Sequence, residues 1–148
     1  MRLLIQRVKE ARVEVSGQVT GTIGQGMVGL IGIAGTDTEK DADYLVDKLV
    51  HIRIFPDENR KMNLDIRDAG GGLLLISQFT LYADMRRGRR PSFDLAAGRE
   101  QAAALYDYFV ETARATGVPV ATGVFQAAME VYLINDGPVT IMVDSAEK

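Results

Sequence analysis

The 148-residue sequence contains no cysteine and a single histidine, which excludes disulfides, a thiolate nucleophile and any cysteine-based metal centre. At 47% hydrophobic and 25% charged residues it has the make-up of one soluble domain, long enough to bury a full core. A net charge of −3 excludes a global attraction to nucleic acid, so any such contact must be local.

The first ten residues, MRLLIQRVKE, are too short and too interrupted by charge for a signal peptide or a membrane span, and a cytoplasmic protein is expected. Leu3–Val8 predicts a strand, and Arg12–Val15 with Val19–Ile23 predicts a hairpin about Ser16-Gly17-Gln18. The unbroken apolar run MVGLIGIA, Met27–Ala34, predicts a buried strand. Thr38 with Asp41 three residues on predicts a capping box that uses Asp in place of Glu. It opens a helix to about Ile52, with Ala42, Leu45, Val46, Leu49 and Ile52 as its apolar stripe. Phe55–Lys61, FPDENRK, reads as a turn, Met62–Ile66 as a short strand and Ala69–Gly72, AGGG, as a break. Leu73–Tyr82 predicts a long strand and Asp84–Ser92 a loop. Arg99–Thr116 predicts a second helix, with Ala102, Leu105, Tyr106, Phe109 and Ala113 inward and Glu100, Asp107, Glu111 and Arg114 outward. Gly117 stops it, with Pro119 just beyond. Glu130–Ile134 and Ile141–Asp144 predict two more strands. No linker, repeat or low-complexity tract divides the chain, so residues 1–148 form one α/β domain of mixed, largely antiparallel sheets with two main helices.

Chemistry is constrained first by His51. It falls opposite the Leu45–Leu49–Ile52 stripe, beside Tyr44, Asp47 and Lys48, and reads as a solvated surface residue. That leaves no base for a Ser-His-Asp triad and no histidine for a zinc site, and neither a metal nor a cofactor is expected. Three stretches remain. LLLISQFTLYAD, Leu73–Asp84, carries Ser77, Gln78 and Thr80 at the end of an apolar run. Spacing alone favours a strand leaving the core with its hydroxyls paired, while the catalytic alternative is a set of backbone N–H groups aimed at an oxyanion. A lone threonine without a base is a poor nucleophile. MRRGRRPSF, Met85–Phe93, gathers Arg86, Arg87, Arg89 and Arg90, and reads equally as a solvated loop or as a phosphate contact. NDGPVT, Asn135–Thr140, sets the strong hairpin pair Asp136-Gly137 between two strands, yet follows it with Pro138, which lacks the N–H needed to close the ladder. It is either a structural turn or a loop shaped for contact.

SQFTL (Ser77–Leu81) and NDGPVT together resemble the two signature motifs of the D-aminoacyl-tRNA deacylase family. IQRV (Ile5–Val8), RIFPDENRKMN (Arg53–Asn63), RRPSF (Arg89–Phe93), ALYDYFV (Ala104–Val110) and TGVFQAAMEV (Thr122–Val131) fall in the family's order, so the likeness spans almost the whole chain. The resemblance implies a barrel-like deacylase fold and a homodimeric hydrolase of the ester between a D-amino acid and the 3′-terminal adenosine of tRNA. It also implies removal of misattached glycine. In the family the Gly-Pro bond is cis and enters the partner subunit's active site. On that likeness Gly137 and Pro138 form a chirality gate facing Ser77, Gln78, Phe79 and Thr80 of the other chain. Phe125 and Met129 match positions near the pocket, and Arg7 matches a position that braces the Gly-Pro loop. Gln78, Phe79 and Thr80 are the implied catalytic segment. A non-catalytic dimer that binds the tRNA 3′ end or a small ligand is the alternative.

Overall fold

One long strand, β1 (Arg2–Val15), organises the fold in a computed structural model that describes residues 1–148. The sequence divides this segment at Lys9–Ala11, where polar side chains interrupt the apolar run. The chain instead stays in the sheet and bulges: Val8 pairs with Asn135 and Ala11 with Leu133, three steps on β1 against two on its partner. An extra residue reverses the faces of all side chains that follow. Leu3 and Ile5 therefore join one apolar cluster, and Ala11 and Val13 the other.

The expected hairpin turns at Ser16 and Gly17, whose φ angles of 51° and 77° are both left-handed, as a type I′ turn requires. The strands after it, β2 (Gln18–Ile23) and β3 (Gly26–Gly32), line one edge of β1 in a common antiparallel register running from Ala11↔Ile23 through Val8↔Gly26 to Arg2↔Gly32. β8 (Glu130–Asp144) covers the other edge. β6 (Gly72–Ser77) lies parallel to β3, and β7 (Val120–Thr122) parallel to β6. β7 is too short for the sequence pattern to reveal. The sheet curls until β7 meets β2, so closely that a methyl on Gly21 would sit 2.4 Å from the Thr122 carbonyl oxygen. The result is the expected mixed, barrel-like α/β fold.

Val8, Ala11, Val13, Val28, Leu74 and Ile76 fill the inner face. The larger outer cluster lies under α1 (Glu39–His51) and α2 (Arg99–Ala115). Leu73 and Leu75 face the helices while Leu74 and Ile76 face the barrel, which is why this strand reads as an unbroken apolar run. Ala42, Leu45, Val46 and Leu49 are buried as expected, and so are Leu105, Tyr106, Phe109 and Ala113. The Thr38 N–H donates to the Asp41 carboxylate at 2.9 Å, the return bond of the expected box. A small ribbon, β4 (Phe55–Pro56) and β5 (Met62–Leu64), flanks the predicted turn, and its second strand ends before Ile66. No helix is long and apolar enough to cross a membrane.

Two further predicted elements differ, both at the quoted motifs. The strand predicted over Leu73–Tyr82 ends at Ser77, and Phe79–Tyr82 form a short 3-10 helix. Gln78 N–H donates to Ile31 O at 2.7 Å as the last rung, and β3 ends one residue later. With no ladder left to extend, the β-propensity of this stretch yields to tertiary packing. Gly32 makes room for the turn: a Cβ there would lie 2.9 Å from Leu81 Cβ and 3.2 Å from Gln78 O. The second correction is that Asp136-Gly137 does not reverse the chain. Both halves of β8 pair with β1, Asn135 opposite Val8 and Thr140 opposite Gln6. Asp136, Gly137, Pro138 and Val139 therefore bulge outward opposite the single residue Arg7. The Gly137-Pro138 peptide is cis.

Candidate active site

The parallel strands β3 and β6 end side by side, and a cleft of about 580 Å³ opens beyond their carboxyl ends. This is where open sheets with parallel strands commonly present their sites. Ile31, Ile33, Ser77, Gln78, Phe79, Phe125 and Met129 are among the residues that line it. Five of the sequence-predicted residues thus meet in one place: Ser77, Gln78, Phe79, Phe125 and Met129.

The 3-10 helix gives the cleft its polar character. Its first two N–H groups, those of Phe79 and Thr80, precede its first internal hydrogen bond, from Leu81 N–H to Gln78 O at 3.3 Å. Helix starts leave such donors uncommitted, and here no capping side chain takes them. Gln78 Nε2 donates to Thr80 Oγ1, so the threonine hydroxyl oxygen is occupied as an acceptor, with no base beside it. Arg2 holds the far end of the helix: its Nη1 donates to Leu81 O at 2.8 Å and its guanidinium lies 4.5 Å over the Tyr82 ring.

Phe125 and Met129 are placed by residues outside the predicted set. The buried Tyr106 hydroxyl donates to Leu75 O at 2.9 Å, and its ring lies 5.8 Å from that of Phe125. Burial pushes the Tyr106 hydroxyl up to about 12, so it remains a donor. Gly123 lets Met129 fold inward, since a Cβ there would lie 2.5 Å from the Met129 sulfur. Gln126, which also lines the cleft, adopts a left-handed φ of 64°.

Gly137 and Pro138 do not line this cleft; they stand exposed on the β8 bulge. The loop beneath them is firmly tied. Arg7 is only 9% exposed, and its Nε donates to Asp136 O at 3.2 Å and meets the Asp136 carboxylate at 3.3 Å. Its Nη1 donates to Ile54 O, tying the bulge to the segment after α1. Asn135 closes the base of the loop: its Oδ1 accepts from Val139 N–H at 3.2 Å and its Nδ2 donates to Thr140 Oγ1 at 2.9 Å.

The arginine loop lies between Asp84 and Ser92, which exchange two backbone hydrogen bonds of 2.8 and 2.9 Å. Arg86 is not a free cation. It grips Asp84 at 2.6 Å, and that hydrogen bond holds the Asp84 carboxyl down at about 2. Arg87, Arg89 and Arg90 are exposed and form no ion pair. His51 sits exposed on α1 with its Nδ1 2.8 Å from Asp47 O, far in role from any cleft residue.

The sequence profile of D-Tyr-tRNA(Tyr) deacylase matches residues 4–144. The chain belongs to the D-Tyr-tRNA(Tyr) deacylase family. It is 57% identical over 148 residues to the D-aminoacyl-tRNA deacylase of Solibacter usitatus, covering 100% of this chain and 98% of that one. It is 54% identical to the D-aminoacyl-tRNA deacylase of Thermus aquaticus, covering 100% of this chain and 97% of the relative. Among solved structures it superposes on the c-Myc DNA Unwinding Element Binding Protein with a TM-score of 0.91 at 38% identity, covering 97% of this chain and 98% of that one. A probable eukaryotic D-amino acid tRNA deacylase, 18% identical with a TM-score of 0.81 and covering 96% and 97%, shares the fold. As a member of this family the chain is a hydrolase of the deacylase kind.

Seen in this deacylase, the residues that sequence reasoning missed are supports: Gly32 under the 3-10 helix, Tyr106 behind Phe125, and Asn135 across the bulge. Asn135 lies inside the quoted NDGPVT motif, where the Asn-to-Thr spacing was the available signal.

Proposed function

We propose that this chain hydrolyses the ester joining a D-amino acid to the 3′-terminal adenosine of tRNA, releasing free tRNA and the D-amino acid in the cytoplasm. The observation that carries the reading is the pair of N–H groups of Phe79 and Thr80 at the open start of the 3-10 helix, beside a mostly apolar cleft. Such donors stabilise the oxyanion of acyl transfer. Water adds to the ester carbonyl carbon and the carbonyl oxygen takes up the negative charge. The bond to the ribose oxygen then breaks, that oxygen receives one proton of the attacking water, the other proton passes to solvent, and the amino acid leaves as its carboxylate. The neighbouring ribose 2′-OH orients the water. Thr80 positions rather than attacks, because Gln78 donates to its hydroxyl and no base adjoins it.

Chirality is read by Gly137 and Pro138 of a second copy, seated over the cleft of the first. The active sites then lie at the interface of a homodimer. An exposed pair on a loop tied down by a buried arginine supports this role. A rigid backbone wall rejects an L side chain by steric conflict and is indifferent to side-chain identity. Glycine has no side chain to reject, so mischarged glycyl-tRNA is also a substrate. Ser77, Phe125 and Met129 line the substrate pocket, Arg7 supports the gate, and the arginine loop contacts tRNA phosphates. A second reading is a non-catalytic dimer that binds nucleic-acid ends or a small ligand. It is favoured only by the 38% identical structural neighbour, which is named for binding a DNA element.

Matched D- and L-aminoacyl-tRNA of one tRNA separate these readings. Hydrolysis of the D form with the L form spared is expected, and retention of both esters overturns the enzymatic reading. Thr80→Ala should keep substantial activity; a trapped acyl ester on Thr80 would establish covalent catalysis instead.

A further inference from the structure

At the rim of the cleft an exposed aromatic ring packs against a half-buried one. Phe79 is 57% exposed, and its ring meets that of half-buried Phe93 edge to face, with centroids 4.9 Å apart and planes 70° apart. Phe79 lines the cleft, and its ring packs against Phe93. The position of Phe93 is fixed from the other side. Ser92, just before it, exchanges both hydrogen bonds with Asp84 that close the arginine loop. The ring therefore stands at the junction between the cleft, through Phe79, and the loop that carries Arg87, Arg89 and Arg90. Those three guanidiniums have no carboxylate partner, in a chain whose net charge is −3.

An exposed aromatic ring braced by a half-buried one and flanked by unpaired cations is an arrangement that can hold single-stranded nucleic acid: bases stack on rings, and backbone phosphates meet the positive charge. Stacking suits an unpaired strand because every base has a π-face. We infer that Phe93, with the ring of Phe79, is a stacking platform for the unpaired nucleotide that precedes the terminal adenosine, with Arg87, Arg89 and Arg90 taking the phosphates upstream. This rests on the proposed tRNA substrate and adds to it a recognition surface outside the cleft. The aminoacylated adenosine enters the cleft, the nucleotide before it stacks at the rim, and the strand continues over the loop. The competing occupant of these rings is a second copy of the chain, which would cover them with protein.

The test compares Phe93→Ala and Phe93→Tyr with the unaltered protein on two substrates, D-aminoacyl-tRNA and the minimal D-aminoacyl-adenosine, which lacks the preceding nucleotide. Binding of an uncharged single-stranded RNA with the same unpaired 3′ end is measured in parallel by fluorescence anisotropy, and oligomeric state by sedimentation. Phe93→Ala should raise KM for the tRNA about tenfold, the size of one lost base–aromatic stack, with kcat unchanged. Its hydrolysis of D-aminoacyl-adenosine should be unaltered, and its RNA affinity should fall by about the same factor. Phe93→Tyr, which keeps the ring, should restore both. Equal loss on the two substrates would make Phe93 a packing residue and overturn the inference, as would no loss on either. A change in oligomeric state without a change in RNA affinity would assign the rings to a second copy. Should the unaltered protein hydrolyse neither substrate, the functional reading fails, while the RNA-binding comparison still decides the platform.

Discussion

The two signature segments of this chain are built in opposite ways. Around the cleft, backbone donors stand at the open start of a helix: the N–H groups of Phe79 and Thr80 precede its first internal hydrogen bond, and no side chain caps them. Around the β8 bulge the chain is tied down, by Arg7 to Asp136 and Ile54 and by Asn135 to Val139 and Thr140. The first region is prepared to give hydrogen bonds to something that arrives. The second is held in one shape and carries its exposed tip, Gly137 and Pro138, as a fixed surface. On the proposed function, reaction and discrimination would reside in different physical resources, oriented dipoles in one and rigidity in the other. Changes to each should have separable consequences.

The largest effect expected is on the rigid region. Arg7→Ala removes a buried guanidinium and leaves the Ile54 carbonyl and the Asp136 groups without it. Loss of one member of a largely buried charged pair costs about 3 kcal/mol. Chemical denaturation should register that loss, and matched D- and L-aminoacyl-tRNA should show discrimination falling on protein that remains folded. Unchanged discrimination after a measured loss of stability would mean that the bulge is not the discriminating surface.

The cleft is tested through a residue that never touches the substrate. Gly32→Ala places a methyl 2.9 Å from Leu81 Cβ and 3.2 Å from Gln78 O, so the 3-10 helix must lift from the end of β3. The N–H pair loses its aim, and removal of one oxyanion donor typically costs about 100-fold in kcat. Steady-state kinetics with a parallel melting curve check this. The D/L ratio should be unmoved; a shift in that ratio at constant kcat would merge the two regions into one.

Much of the framework was legible in the sequence because it is periodic. The stripes of α1 and α2, the Thr38–Asp41 box and the Ser16-Gly17 turn each rest on local spacing, and each appears where expected. The two signature segments are legible as motifs but misleading as structure. Phe79-Thr80-Leu81-Tyr82 has the composition of a strand, yet β3, the partner it would need, ends at Gly32. Asp136-Gly137 has the composition of a turn, yet the strand pairs with β1 on both sides of it, up to Asn135 and again from Thr140. In both cases the deciding fact is the length of a neighbouring strand distant in sequence. The roles of Gly32, Tyr106 and Gly123 are hidden for the same reason, since a close approach between remote elements leaves no local pattern.

The smallest expected effect separates Arg86 from the other arginines of its loop. By sequence the four are equal; in the structure Arg86 is bound to Asp84 at 2.6 Å while Arg87, Arg89 and Arg90 are unpaired. The hydrogen bond from Arg86 holds the Asp84 carboxyl down at about 2. For a carboxyl so depressed, the pairing is present above the ordinary carboxylate range and is lost only as pH falls through about 2. Across about pH 5 to 8 it does not change, so Arg86 stays neutralised throughout the working range. Replacing Arg87, Arg89 or Arg90 with alanine should therefore reduce the salt slope of tRNA binding by about 0.7–0.9 each, one phosphate contact apiece. Arg86→Ala should reduce it by clearly less, because a guanidinium already committed to Asp84 neutralises no phosphate and releases no counterion. None of the four should alter the D/L ratio, since phosphates carry no information about the Cα configuration. Affinity measured across a salt series, with the D/L ratio taken on the same protein, tests both halves. A full phosphate's worth of slope from Arg86→Ala would show that tRNA displaces Asp84 on binding, and an altered D/L ratio would extend discrimination beyond the Gly137-Pro138 bulge.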